Sequence, residues 1–182
     1  MKRFIALLRG INVSGKNIIK MNELVAQFSN HNYKNIKTYI QSGNIIFECA
    51  DKDAKTLENE IHRLIIDKFG LKVPVLVKTA EELKKIFESN PFIKNNTLDI
   101  NELHVTFLNE TPERENIIKL VESKIETDEF ILTHDVVYLH CKSGYGNTKL
   151  NNSFFESKLK VSATTRNWKT IGKLLEMSVL KS

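Results

Sequence analysis

Four stretches of this 182-residue chain carry more polar and backbone-permissive residues than a loop needs. In residues 7–17, LLRGINVSGKN, Arg9 leaves a strand-like run, and Gly10, Asn12, Gly15 and Lys16 follow before a helix that starts near Asn22. Glycines let successive backbone N–H groups converge on one ligand, and a helix amino terminus adds positive potential, so the chemistry this combination suits is anion binding. It is not a complete phosphate-loop signature, because G-x-x-x-x-G-K-[ST] needs Ser or Thr where Asn17 stands. On the plainer reading, Gly10 and Gly15 only turn the chain and both cations are solvated.

Residues 144–150, GYGNTKL, repeat the arrangement: Thr148 could cap a following helix and Lys149 could meet a phosphate oxygen, or the segment is simply a hairpin exit. In residues 163–168, ATTRNW, Arg166 stands beside Asn167 and Trp168 at the expected start of the last helix. A guanidinium fork grips phosphate or carboxylate at two points, and an indole can stack on a base or anchor its helix in the core. In residues 39–47, YIQSGNIIF, the side chains of Gln41, Ser42 and Asn44 could read the polar edge of a ligand or serve turn geometry.

Other chemistries lack their residues. The five histidines show neither HxxxH nor HExxH spacing, no G-x-S-x-G elbow occurs, and Cys49 and Cys141 have no CxxC partner. No metal and no cofactor are therefore expected, and both cysteines read as reduced thiols. Glu48 and Asp135, near strand ends, are the only carboxylates that stand out as an acid or base.

These segments must be positioned by regular elements. Residues 3–8 form a strand-type run; Met21, Leu24, Val25 and Phe28 recur at helical spacing; residues 37–40 and 45–47 flank a turn in which Gly43 supplies positive φ. Leu57, Ile61, Leu64 and Ile65 make a helical stripe ending at Gly70, and residues 73–77 form a strand that Pro74 confines to a sheet edge or a strand start. Thr79 and Glu82 make a capping box for a connecting helix. The order then repeats: strand 103–107, a helix with Thr111 as cap and Pro112 at its first position, strands 129–132 and 136–140, a helix holding Leu150, Phe154 and Leu159, a short strand at 161–164, and a closing helix. The expected fold is α+β, with two successive ferredoxin-like β-α-β-β-α-β halves, 1–78 and 102–182, packed together around a connector at 79–101, and a C-terminal helix.

The motifs LLRGIN-V-x-GK, YIQSGN, NPF (residues 90–92) and ATTRNW occur here in the order seen in the family of domain of unknown function 1697, which the chain resembles from about residue 3 to residue 177. Ser14 stands where glycine is usual, and Asn147 and Thr148 where the family more often has a basic residue and serine. The resemblance implies an α+β fold of two related halves and brings no activity or cofactor.

Composition narrows the class. Hydrophobic residues at 41% and charged residues at 27% are those of a globular protein. The apolar run 4–8 is too short for a secretion signal, and no stretch approaches the roughly 18 residues of a membrane span, so a cytoplasmic protein is expected. A net charge of +5 admits a polyanionic partner, but the excess of Lys, Asn and Ile fits a proteome-wide coding bias. The leading expectation is a binding protein that gathers Arg9, Lys16, Lys149 and Arg166 in a basic cleft between the halves around a nucleotide or nucleic acid. The alternatives are an enzyme acting on a small anionic metabolite and a protein-interaction module.

Overall fold

A first strand buried continuously from Phe4 to Leu8 and a helical stripe after it generate the opening of a plait. The computed structural model describes every residue except 51, 95–97, 124, 126 and 180–182. The elements are β1 (Lys2–Leu8), α1 (Met21–Asn30), β2 (Lys34–Tyr39), β3 (Asn44–Cys49), α2 (Ala54–Phe69), β4 (Val75–Thr79) and α3 (Ala80–Glu88). They continue with β5 (Leu103–Leu108), α4 (Arg114–Val121), β6 (Glu129–Thr133), β7 (Val136–His140), α5 (Asn152–Leu159), β8 (Ala163–Asn167) and α6 (Trp168–Val179). The strands form two antiparallel sheets, ordered β2-β3-β1-β4 and β6-β7-β5-β8, which is the ferredoxin-like order twice. The chain divides into two compact units, Met1–Lys85 with Lys173–Ser182, and Ile86–Gly172.

In the first unit, Phe4, Ala6, Leu8, Ile45, Phe47 and Val77 turn one sheet face toward Leu24, Phe28, Leu57, Ile61 and Ile65 of α1 and α2. α2 ends where Gly70 takes φ 67 and its N–H reaches Ile66 O at 2.8 Å, the left-handed cap that a glycine allows without a Cβ clash. Pro74 immediately precedes β4, an edge strand, so its missing N–H breaks no ladder. Thr79 and Glu82 form the reciprocal capping box at the start of α3, with Thr79 N to Glu82 Oε2 at 2.7 Å and Glu82 N to Thr79 Oγ1 at 3.1 Å.

In the second unit, Leu108, Leu120, Val137, Leu139, Leu150, Phe155 and Leu159 form the core beneath α4 and α5. Three local expectations shift. α4 starts at Arg114 with Glu113 as its flanking residue, so Thr111 and Pro112 lie outside the helix; Thr111 Oγ1 lies 3.2 Å from His134 Nδ1 instead. α5 is capped by Asn151, whose side chain accepts from Phe154 N, because Thr148 gives its hydroxyl to Asp128. The last strand is residues 163–167, so Arg166 and Asn167 are strand residues and α6 begins only at Trp168.

The units repeat each other in register. Leu8 N donates to Gly43 O at 2.8 Å and Arg9 N to Pro74 O at 3.0 Å; Leu108 N donates to Asp135 O at 2.9 Å and Asn109 N to Ser162 O at 3.0 Å. Ala6 faces Val77 as Thr106 faces Thr165, and Phe4 faces Thr79 as His104 faces Asn167. The same topology and register are thus repeated in backbone pairing even though the two halves show no evident sequence similarity.

Candidate functional site

The left-handed residues of the first loop explain its sequence. Gly10, Asn12, Ser14, Gly15 and Asn17 all have positive φ, and Ser14 at φ 49 occupies a conformation that glycine adopts freely. Asn12 closes the loop: its Nδ2 donates to Ile19 O at 2.9 Å and to Gln41 O at 2.8 Å, while Oδ1 accepts from Ile19 N at 2.8 Å. The buried Asn44 side chain donates to Tyr39 O and Ser42 Oγ, and Gly43 lies so close to the chain that a Cβ there would stand 2.6 Å from Leu8 Cβ. Asn12, Ser42 and Asn44 thus fasten the two turns at the C-terminal end of β1. Arg9 is half-buried there, and Lys16 and Gln41 are exposed. Glu48 is tied to Arg3 and Asn35, and the Arg3 guanidinium holds its carboxyl below the usual range. It is an ion-pair partner rather than a base.

In the second unit the register just described yields something else. The face that the first unit fills with Phe4, Ala6 and Val77 carries His104, Thr106 and Thr165, with Asn167 beside them. Thr106 is fully buried and His104 nearly so. Thr165 donates to Asn152 Oδ1 at 2.7 Å, so in the 2.7 Å contact between Thr106 and Thr165 it is Thr106 that donates. The hydrogen bonds run one way, from Thr106 through Thr165 to the first residue of α5.

His104 has one consistent tautomer. Its Nδ1 lies 3.2 Å from the Glu102 carbonyl, which can only accept, and its Nε2 lies 3.3 Å from Asn167 Nδ2, which can only donate. The Asn167 carboxamide is oriented by Lys169 N, which donates to Oδ1. Burial pushes the imidazole below its ordinary pKa, so it is neutral at neutral pH. One face of the ring stacks on Tyr145, centroids 4.8 Å apart and planes at 21°. The Tyr145 hydroxyl is buried beside Thr165 and Asn152, and burial pushes the phenol upward.

Arg166 follows Thr165 on the same edge strand. Its guanidinium donates to Thr165 O at 3.0 Å and lies within electrostatic reach of Tyr145. Burial lowers it to about 10, still charged at neutral pH. Of the remaining expected residues, Lys149 is exposed on the loop before α5, whereas Trp168 is buried with its ring stacked on Phe87 at 4.4 Å and 3°. The segments 144–150 and 163–168 therefore do converge, but through Tyr145, Thr165 and Asn167. His104, Thr106 and Asn152 complete the set. No local motif announces these three, since they sit in ordinary strand alternation and at a helix start.

The geometry defines an α+β protein of two units with the same strand order, in which one unit keeps an apolar core and the other threads hydrogen-bonding groups through the equivalent positions. Among the described residues, no three His, Cys, Asp or Glu side chains are grouped to hold a metal ion, and no helix is long and apolar enough to cross a membrane. The chain belongs to the family described as protein of unknown function (DUF1697), whose model matches residues 1–138. Its fold is similar to that of the conserved bacterial protein SP0830 from Streptococcus pneumoniae, with a TM-score of 0.75 and 22% identity over 97% of this chain and 98% of that one. No curated protein matches the sequence.

Proposed function

We propose that the second unit binds a small phosphate-bearing ligand of nucleotide type, with Arg166 supplying charge and Tyr145 and Asn167 supplying hydrogen bonds. The observation that carries this reading is the replacement of Phe4, Ala6 and Val77 by His104, Thr106 and Thr165 at equivalent registers. Buried hydroxyls and an imidazole cost stability unless satisfied, and chains retain such groups chiefly at functional sites. A desolvated guanidinium favours an anion more strongly than a solvated lysine does, since the same charge acts at lower effective dielectric. Arg9 and Lys16 form a second pair of candidate cations on the first unit, where a glycine-rich loop precedes α1.

The reading is tested by thermal shift with AMP, ATP, inorganic phosphate and a short oligonucleotide. A ligand at about 100 times its Kd adds roughly 2.7 kcal/mol, which is several degrees for a chain of this size. A mononucleotide is expected to raise Tm, and Arg166→Ala to remove the response while leaving the circular dichroism spectrum unchanged. A flat response across all four compounds rejects the reading. A steeply salt-dependent response to the oligonucleotide alone would replace it with nucleic-acid binding.

A further inference from the structure

The equivalent edge strands of the two units are built differently. β2 closes the order β2-β3-β1-β4 and carries Lys34 and Lys37, with a register shift between them and Asn35 at φ 49. Lysines and bulges are devices by which an edge strand refuses a neighbour. β6 closes the order β6-β7-β5-β8 without them. Its sequence, Glu-Phe-Ile-Leu-Thr, holds no lysine and no proline, and its register with β7 runs unbroken from Glu129↔His140 to Thr133↔Val136. Alternate residues of such a strand turn their N–H and C=O groups away from β7, where no other strand of the described residues lies.

The side chains along this edge are as open as its backbone. Phe130 and Leu132 pack against the second core yet stay half-buried, and Ile131, on the opposite face, is 38% exposed. Beside residues 128–131, Phe92 and Ile125 help to line a hollow of ≈ 280 Å³, which leaves room for the side chains of an added strand. α4 shares its core with Phe130 and Leu132 through Ile117 and Leu120, and it leaves Ile118 and Val121 exposed as further apolar surface on the same unit.

We propose that β6 pairs antiparallel with β6 of a second copy of this chain, joining the four-stranded sheets of two copies into one continuous sheet. The strand is complementary to itself in that direction. With Ile131 on the two-fold axis, Phe130 stands opposite Leu132 and Glu129 opposite Thr133, so apolar meets apolar and no two like charges face each other. A parallel copy in the same register would instead set Glu129 beside Glu129. Pairing an edge with itself consumes both edges and stops at two chains. β6 lies at the opposite end of the sheet from β8, so this pairing and the ligand reading of the β5–β8 polar track can fail separately.

Sedimentation velocity of the full chain from about 1 μM to about 1 mM, a range that brackets weak association, tests the proposal. A monomer–dimer equilibrium is expected. Ile131→Lys sets two ammonium groups at the axis and should raise the dimer dissociation constant by about tenfold or more. Hydrogen exchange of the native chain at both ends of that range is the second readout, and amide protection in residues 129–133 should rise with concentration. A monomer throughout the range overturns the proposal, as does growth beyond the dimer, a dimer that Ile131→Lys leaves intact, or a dimer without added protection in β6. Should Ile131→Lys fail to fold, sedimentation and exchange of the native chain decide between the same outcomes.

Discussion

Asn167 Nδ2 stands 3.3 Å from His104 Nε2 across the β5–β8 ladder, and together with the Glu102 carbonyl at Nδ1 this contact fixes which imidazole nitrogen carries the proton. Burial holds the folded-state pKa below the ordinary histidine value of 6.5. The unfolded chain therefore binds the proton more readily, and the stability that His104 contributes is full above about pH 6.5 and declines as pH falls through the folded pKa. Urea denaturation between pH 7.5 and 5 should show this loss in the native chain. His104→Phe, which restores the residue type of Phe4, should flatten the slope over the same interval; an unchanged slope would assign the acid sensitivity elsewhere.

Thr165→Val breaks the relay from both sides, leaving the Thr106 hydroxyl without its acceptor and Asn152 Oδ1 without its donor. An orphaned buried polar group costs about 1 to 3 kcal/mol. The double change Thr106→Ala with Thr165→Val copies Ala6 and Val77 and removes one of the two orphans, so it should be more stable than Thr165→Val alone. Chemical denaturation of the three proteins measures the difference, and the double variant should no longer respond to mononucleotide.

Two glycines with similar φ should respond differently to alanine. At Gly43 a Cβ would meet Leu8 Cβ at 2.6 Å and Ile11 Cδ1 at 3.0 Å, whereas at Gly10 nothing lies within 4 Å. Gly10→Ala should therefore cost only the left-handed penalty of about 1 to 2 kcal/mol, and Gly43→Ala should add about 1 to 3 kcal/mol of overpacking to it. Equilibrium unfolding of both variants checks the ranking.

Burial pushes the Cys141 thiol up to about 11, so almost no thiolate exists at neutral pH. Cys141 should react with a disulfide reagent such as dithionitrobenzoate only at the rate of unfolding, and quickly in guanidinium. Prompt labelling of native Cys141→Ala and not of native Cys49→Ala would locate fast reactivity at Cys49.

Most of the architecture could be read from local rules, because the deciding contacts are local. Gly70 as a cap, Gly43 in its turn, Thr79 with Glu82 and Pro74 at an edge each depend on residues within a few positions of one another. Thr148 resembles a cap because its hydroxyl stands four positions before a helix, whereas its acceptor, Asp128, lies twenty positions away. The polar track escaped for the same reason. His104 and Thr106 are unremarkable in an alternating strand, and only the pairing of β5 with β8 brings Thr165 and Asn167 to them. Arg166 and Asn167 stand in β8 rather than at a helix start, because the strand runs on to position 167 and the helix begins one residue later.

Asn12 belongs to one loop yet donates to the backbone of another, at Gln41 O, while holding Ile19 at both its N–H and its carbonyl. A single carboxamide thereby welds the segment between β1 and α1 to the β2–β3 hairpin, so that neither can swing aside alone. Amide exchange at Ile19 should consequently slow and quicken in step with that hairpin, and a chain carrying aspartate at position 12 would lose the donations to Ile19 O and Gln41 O while still accepting from Ile19 N.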